Sequence, residues 1–183
     1  MILGLDVSTS ITGATLLDDN GKIVFNEAWD TRKFKDFFDK AEFIKGKIKH
    51  VHDNYGNNHS NVHNVSIRHL FIEQSLQSFR SGFSSAKTLS TLSRFNGVVS
   101  WVCFNYFGIK PEYVAATTAR KLCGIKVPRG NKAKDVVLQH VINTEPSFVF
   151  EQTKHGNPKP DTFDRADSLI IAKAGFVLTT ASK

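Results

Sequence analysis

Residues 2–29, ILGLDVSTSITGATLLDDNGKIVFNEAW, read as three successive strands. Ile2 to Val7 is a short apolar run rich in branched side chains, and Ser8-Thr9-Ser10 after it is a turn signal. Ile11 to Leu17 forms the second run. Asp18-Asp19-Asn20-Gly21 then predicts a tight hairpin, because Asn-Gly tolerates positive φ. Lys22 to Trp29 alternates as a third strand, so the chain opens with an antiparallel meander. One residue in it is out of place. Asp6 lies between Leu5 and Val7, where a carboxylate is costly unless a cation or a donor meets it.

Downstream the period changes. Phe37, Phe38, Ala41, Ile44, Ile48 and Val51 recur at three and four residues, which predicts a helix beginning near Lys35. Tyr55 to Asn64 is a polar Gly/Asn/His/Ser loop, and its histidines, like His50, His52 and His69, read as solvated side chains rather than metal ligands. Ser66 to Glu73 (SIRHLFIE) predicts a buried fourth strand. Ser84 to Phe107 predicts a long helix with Ala86, Leu89, Leu92, Phe95, Val98, Val99, Val102 and Tyr106 on a wide apolar face, capped by Gly108 and stopped by Pro111. A fifth strand at Tyr113 to Ala116 follows. A short helix capped by Thr117 or Thr118 runs to Leu122, and further helices span Lys132 to Ile142 and Asp161 to about Val177. The expected class is α/β: a five-stranded mixed sheet, antiparallel through its first three strands and parallel thereafter, with helices on both faces as in the ribonuclease H-like fold. A length of 183 residues matches one domain spanning 1–183, and no internal repeat is visible.

Four acids raise one question together. Glu73 closes the fourth strand after Leu70, Phe71 and Ile72, and Asp164 and Asp167, three residues apart, share one face of the last helix. Local explanations exist for each. Asp6 could cap the Ser8 or Thr9 amides, Glu73 could pair with an arginine, and Asp161 and Asp164 sit where a helix macrodipole favours carboxylates. Brought together, however, such acids repel one another unless divalent cations neutralise them. Hard oxygen ligands without His or Cys at matching spacing favour Mg²⁺ or Mn²⁺ over zinc.

Composition narrows the partners. Hydrophobic residues make up 40% and charged residues 22%, which excludes a disordered class, and no apolar run approaches a membrane span. The start MILGLDVS lacks the basic flank and long apolar core of a signal peptide. Cys103 and Cys123 form no zinc or redox pattern, so a reduced, cytoplasmic location is expected. The formal net charge is +7, and it is unevenly placed. Between Gln74 and Lys134, Glu112 is the single acid, against Arg80, Lys87, Arg94, Lys110, Arg120, Lys121, Lys126, Arg129, Lys132 and Lys134. Such segregation suits a face that neutralises phosphates.

Several segments match a known family in order: GLDVSTSITGATLLD (4–18), IEQ (72–74), GNKAKDVV (130–137) and DRADSLIIA (164–172). On these motifs the chain resembles the RuvC-type Holliday junction resolvases, most closely a phage or viral branch. The DxxD before an apolar helix is the most specific of them. The resemblance implies that Asp6, Glu73, Asp164 and Asp167 bind two Mg²⁺ or Mn²⁺ ions per active site. It also places a catalytic, phosphate-contacting lysine at Lys134. Where the family carries an aromatic wedge three residues after its strand-end Glu, Leu76 stands here, leaving Phe79 and Phe83 as aromatic candidates.

The implied activity is metal-dependent hydrolysis of four-way junctions and related branched DNA, leaving 5′-phosphate and 3′-hydroxyl ends. Arg80, Lys87, Arg120, Lys121, Arg129, Lys132 and Lys134, with Phe79 and Phe83, are the expected DNA contacts. No membrane or small-molecule cofactor is expected. Cutting two equivalent strands needs two sites about a twofold axis, so a homodimer is expected. The helix Ser84 to Phe107, with Trp101, Phe104 and Phe107 beyond its core face, is the predicted interface; burial within the monomer is the alternative. Competing functions are an RNA or flap endonuclease on the same fold, and a non-catalytic nucleic-acid-binding module. A sugar-kinase or actin-like ATPase would need a second copy of the Asp6 motif, which is absent.

Overall fold

The computed structural model describes residues 1–56, 66–74 and 86–181. Its elements are β1 (Ile2–Asp6), β2 (Ile11–Leu17), β3 (Ile23–Asp30), α1 (Phe37–Tyr55), β4 (His69–Glu73), α2 (Ala86–Phe107), β5 (Glu112–Val114), α3 (Ala116–Leu122), α4 (Ala133–Thr144) and α5 (Asp161–Ala181). The sheet order is β3-β2-β1-β4-β5, with β1–β2 and β2–β3 antiparallel and β1–β4 and β4–β5 parallel. This is the expected mixed five-stranded sheet of the ribonuclease H-like class. Phe79, Arg80 and Phe83, with Leu76 and most of the His/Asn loop, lie outside the described residues.

Local chemistry sets the boundaries. The first hairpin turns where Asp18 Oδ1 accepts from the Asn20 and Lys22 amides at 2.9 and 2.8 Å, and Gly21 takes φ 76°. Asp36 caps α1 by accepting from the Phe38 and Asp39 amides at 2.7 and 3.2 Å. Gly108, at φ 68°, ends α2 as expected, with its amide donating to Phe104 O at 2.8 Å. Several boundaries differ from the sequence reading: β5 ends at Val114 rather than Ala116, which already belongs to α3, and α5 runs on to Ala181 rather than about Val177. The N-cap of α3 is Ala115 with no side-chain cap bond, while Thr117 and Thr118 lie inside the helix. Residues 66–68 are not strand. The Met1 ammonium donates to Ser66 O and the Arg68 amide donates to Met1 O, but β1 begins only at Ile2.

The sheet is covered on both faces, and strand parity sorts the side chains. Leu3, Leu5, Ala14, Leu16, Leu70 and Ile72 pack with Ile44 and Ile48 of α1 and Phe95, Val99, Cys103 and Phe107 of α2. Ile2, Leu17 and Phe71 point the other way, into a core with Val137 and Val141 of α4 and Leu169, Ile171 and Ala172 of α5. Each fully enclosed aliphatic or aromatic side chain contributes about 1.5–3 kcal/mol of transfer free energy. Phe107 is buried, at 7% exposure, rather than surplus to the core as expected; His52 packs against its ring and fills the space beside it. Trp101 and Phe104 remain exposed.

Helix α5 meets the sheet more closely than side chains normally permit. A Cβ on Gly4 would stand 2.5 Å from the Ala172 amide nitrogen, and one on Gly13 would stand 2.0 Å from the Asp164 carbonyl oxygen. A Cβ on Gly175 would lie 2.2 Å from the Phe71 ring. Beside these contacts sits a buried polar bolt. Thr15 Oγ1 and Ser168 Oγ are 2.8 Å apart, and Asn26 Nδ2 donates to Thr15 Oγ1 at 2.6 Å and to Arg165 O at 2.9 Å. Arg165 Nε donates back to Asn26 Oδ1 at 2.9 Å. A satisfied network of this kind fixes the helix in both register and rotation.

By contrast, Gly46 lies inside α1 with nothing within 4 Å of where its Cβ would be. Gly46→Ala is expected to stabilise the protein by about 0.5–1 kcal/mol, read as a raised denaturant midpoint at unchanged m-value.

Candidate active site

The parallel pairing of β1 and β4 puts Leu5 opposite Ile72, so Asp6 and Glu73 are the next matched pair at the carboxyl ends of adjacent strands. Gly4 faces Ala172 and Phe71 faces Gly175, so by the two-residue alternation Asp6 and Glu73 project to the α5 side. Asp164 and Asp167 wait there on the first turns of α5. Gly13, paired with Asp6 across β1–β2, supplies the gap through which the Asp164 backbone approaches the sheet. The fifth member is Lys134, on the first turn of α4. Its Nζ stands 3.3 Å from Asp164 Oδ1 and 3.5 Å from Asp167 Oδ2.

All four carboxyls are shifted upward, as mutual repulsion in a poorly solvated site requires. Asp6 keeps a sliver of solvent contact but is enclosed on nearly all sides. Burial raises it well above the usual carboxylate range; Glu73, Asp167 and Asp164 push the same way, against Lys134. Glu73 is pushed up to about 7, first by burial and then by Asp167, with Arg120 and Lys134 opposing. Burial also raises Asp164 and Asp167, opposed chiefly by Lys134. Burial works against the Lys134 ammonium, yet Asp164, Asp167 and Asp6 hold it above its ordinary value. Four acids distant in sequence thus share one electrostatic space with one lysine inside it.

The local explanations for single acids fare poorly. The turn after Asp6 is closed by Ser8, whose Oγ accepts from the Ser10 and Ile11 amides at 3.1 and 3.0 Å. Glu73 feels Arg120, but so does Asp167, which makes Arg120 a neighbour of the whole cluster. Of the other expected DNA contacts, Lys121 lies on α3, Arg129 and Lys132 on the approach to α4, and Lys87 near the start of α2; all four are exposed. Sequence reasoning missed Gly13, Thr15 and Asn26. It also missed Asn96, a buried side chain on α2 whose Nδ2 donates to Glu73 O at 3.1 Å and fixes the end of β4. An Asn interrupting the apolar face of α2 was the available signal.

The donor set suits a hard cation: carboxylate oxygens, raised by mutual repulsion, with an ammonium already drawn among them. As placed, no three His, Cys, Asp or Glu side chains among the described residues stand close enough to ligate one ion. No candidate disulfide exists either, since Cys103 and Cys123 are both free. Among the described residues no helix is long and apolar enough to cross a membrane.

The sheet order and the carboxylates at its strand ends define a ribonuclease H-like α/β protein with an acidic cluster. Within that class, its fold is that of RuvC. RuvC of Thermus thermophilus in complex with a Holliday junction substrate superposes with a TM-score of 0.67 at 14% identity, covering 99% of this chain and 96% of that one. A second structure of Thermus thermophilus RuvC gives a TM-score of 0.60 at 16% identity, covering 98% and 96%. No protein-family model and no curated protein sequence matches the chain.

Proposed function

We propose that this chain, acting as a single nuclease domain in the cytoplasm, is a metal-dependent endonuclease that resolves four-way and related branched DNA. The observation that carries the reading is the convergence of Asp6, Glu73, Asp164 and Asp167 from three elements around Lys134. These four acids would hold two Mg²⁺ or Mn²⁺ ions, which supply an acidified water and offset charge on the scissile phosphate. The chain's own part is orientation. The β1 and β4 ends hold Asp6 and Glu73 rigidly, the α5 docking contacts set Asp164 and Asp167, and Asn96 fixes the Glu73 backbone. Lys134, released from its carboxylates, would contact a phosphate oxygen, and Arg120, whose charge reaches Glu73 and Asp167, would help stabilise developing negative charge. Exposed Lys87, Lys121, Arg129 and Lys132 extend the cationic surface over which the DNA arms would run.

Two such sites are needed for the two equivalent strands of a junction. Trp101, 66% exposed, and Phe104, 42% exposed, lie on α2 and supply an apolar surface for a homodimer. The experiment is a gel with purified protein against four-way, three-way, flap, duplex and RNA–DNA hybrid substrates, with Mg²⁺ and then Mn²⁺. Paired nicks in the four-way junction, with ends that ligase seals, are expected. Preference for the hybrid or flap would transfer the assignment to those substrates, and binding without cleavage in either metal would reduce the chain to a binding module.

A further inference from the structure

Arg120 and Lys134 of the basic stretch border the carboxylates; the end of β3 and the start of α1 carry a second surface with nucleic-acid chemistry. Strand β3 runs parallel to β1, so its end and the connection to α1 lie on the same rim as Asp6 and Glu73. That connection is tied to the turn following Asp6. Thr31 Oγ1 donates to Thr9 O at 2.9 Å and to Ser10 O at 3.0 Å, the Thr31 amide donates to Ser10 O at 2.8 Å, and Lys40 Nζ donates to Thr9 O at 2.6 Å. Arg32 lies near enough to Asp161 and Asp164 to feel their charge.

The segment itself reads Arg32-Lys33-Phe34-Lys35-Asp36-Phe37-Phe38. Its one acid, Asp36, is held by the first amides of α1; Asp30 before it pairs with Arg32, and Asp39 after it is exposed in the first turn of α1. Lys33 stands over the Phe34 and Phe43 rings at 5.0 and 5.3 Å, and Arg94 of α2 stands over Phe37 at 5.2 Å. Phe37 is wedged edge-on against Phe95, next to the Asn96 that holds Glu73. Phe38 packs edge-on against Phe37 and is 71% exposed. A rigidly based phenyl open to water, with Arg94 over the neighbouring Phe37 ring and the exposed Lys33 and Lys35 three to five residues before it in the chain, matches the platform on which an unpaired base stacks while cations track its backbone.

We infer that this rim, with Phe38 as its stacking platform and Lys33, Lys35 and Arg94 as its backbone contacts, binds an unpaired DNA strand beside the carboxylate cluster. The inference rests on the nuclease reading and adds to it a strand-binding surface built on the Arg32–Phe38 segment, which Arg94 of the basic stretch adjoins. A protein partner is the other occupant such a patch could take, and the test separates them.

The test is fluorescence anisotropy with a labelled four-way junction, a single strand and a plain duplex, in Ca²⁺ buffer to suppress cleavage. Wild type, Phe38→Ala, Phe38→Trp and Lys33→Ala/Lys35→Ala are compared, with circular dichroism checking each fold. Phe38→Ala is expected to weaken single-strand and junction binding at least about fivefold, with duplex little changed and Phe38→Trp near wild type. The double lysine variant is expected to lower the slope of log affinity against log salt by about 1 to 2. Wild-type affinity and slope in Phe38→Ala and the lysine variant, while wild type binds DNA, would overturn the inference alone and leave the patch to a protein partner. Failure of wild type itself to bind any of the three substrates would overturn the nuclease reading as well.

Discussion

Asp6→Asn is expected to abolish cleavage while making the metal-free protein more stable. Both effects come from one carboxylate. In the proposed ligand set, Asp6 cannot be replaced by an amide without loss of charge at the reacting centre, and a drop of at least about a thousandfold in rate is expected. As a buried charge, Asp6 is held against burial and against Glu73, Asp167 and Asp164, with Lys134 the opposing charge. Asn removes that repulsion at almost constant volume. Each kcal/mol gained raises the melting temperature of a protein this size by about 2–4 °C, so a rise of several degrees is expected. Mg²⁺ should raise the melting temperature of wild type and do so far less in Asp6→Asn, a readout independent of turnover. Asp6→Asn cutting branched DNA at the wild-type rate would refute the catalytic role; an unchanged or lowered melting point would refute the repulsion.

The same physics fixes a pH dependence. Glu73 has an ordinary value of 4.5 and about 7 in the fold, so the folded state holds its proton more tightly than the unfolded state. Stability of the metal-free protein therefore falls as pH rises from about 4.5 through 7, by about 3 kcal/mol at most for this group. Denaturant titrations at pH 5 and pH 8 without metal check the sign, and Glu73→Gln should flatten the difference.

Most of the architecture was legible because each element carries its own period. The meander, the amphipathic α1 and the capped end of α2 are local patterns; Asp6 and Glu73 stood out as charges in or closing apolar runs, and Asp164 and Asp167 by their spacing on one helix face. What stayed hidden depends on neighbours. Whether Phe107 is core or surface turns on His52 being beside it, which no spacing within α2 reveals. Thr117 and Thr118 look like caps, but the N-cap of α3 falls two residues before Thr117, at Ala115, straight from the β5 pairing. Asp6 and Glu73 could be matched as strand ends, yet their common face follows only from the register Leu5 to Ile72. Gly13 and Thr15 read as ordinary strand residues until α5 is laid across them.

Gly13→Ala is accordingly expected to be the most damaging single methyl group in the chain. Its Cβ would fall 2.0 Å from the Asp164 carbonyl oxygen, 2.7 Å from the carbonyl carbon and 3.0 Å from Ser168 Cβ. Two of those atoms are backbone, so no rotamer change relieves the clash, and α5 must lift by about 1 Å to restore ordinary contact distances. Lifting it strains the Thr15–Ser168 bond and opens the contact between Gly4 and Ala172. A cost of about 3–5 kcal/mol follows, or of the order of 10 °C in melting temperature. Whatever fraction stays folded carries Asp164 and Asp167 out of place, and a displacement of about 1 Å in a positioned group is enough to cost about a hundredfold in rate. Gly46→Ala is the matched control, since it adds the same methyl where nothing lies within 4 Å. If Gly13→Ala melts and cleaves like wild type while Gly46→Ala behaves as expected, close docking of α5 is not what holds the acids in register, and the rigidity of the site must come from the β1–β4 strand ends alone.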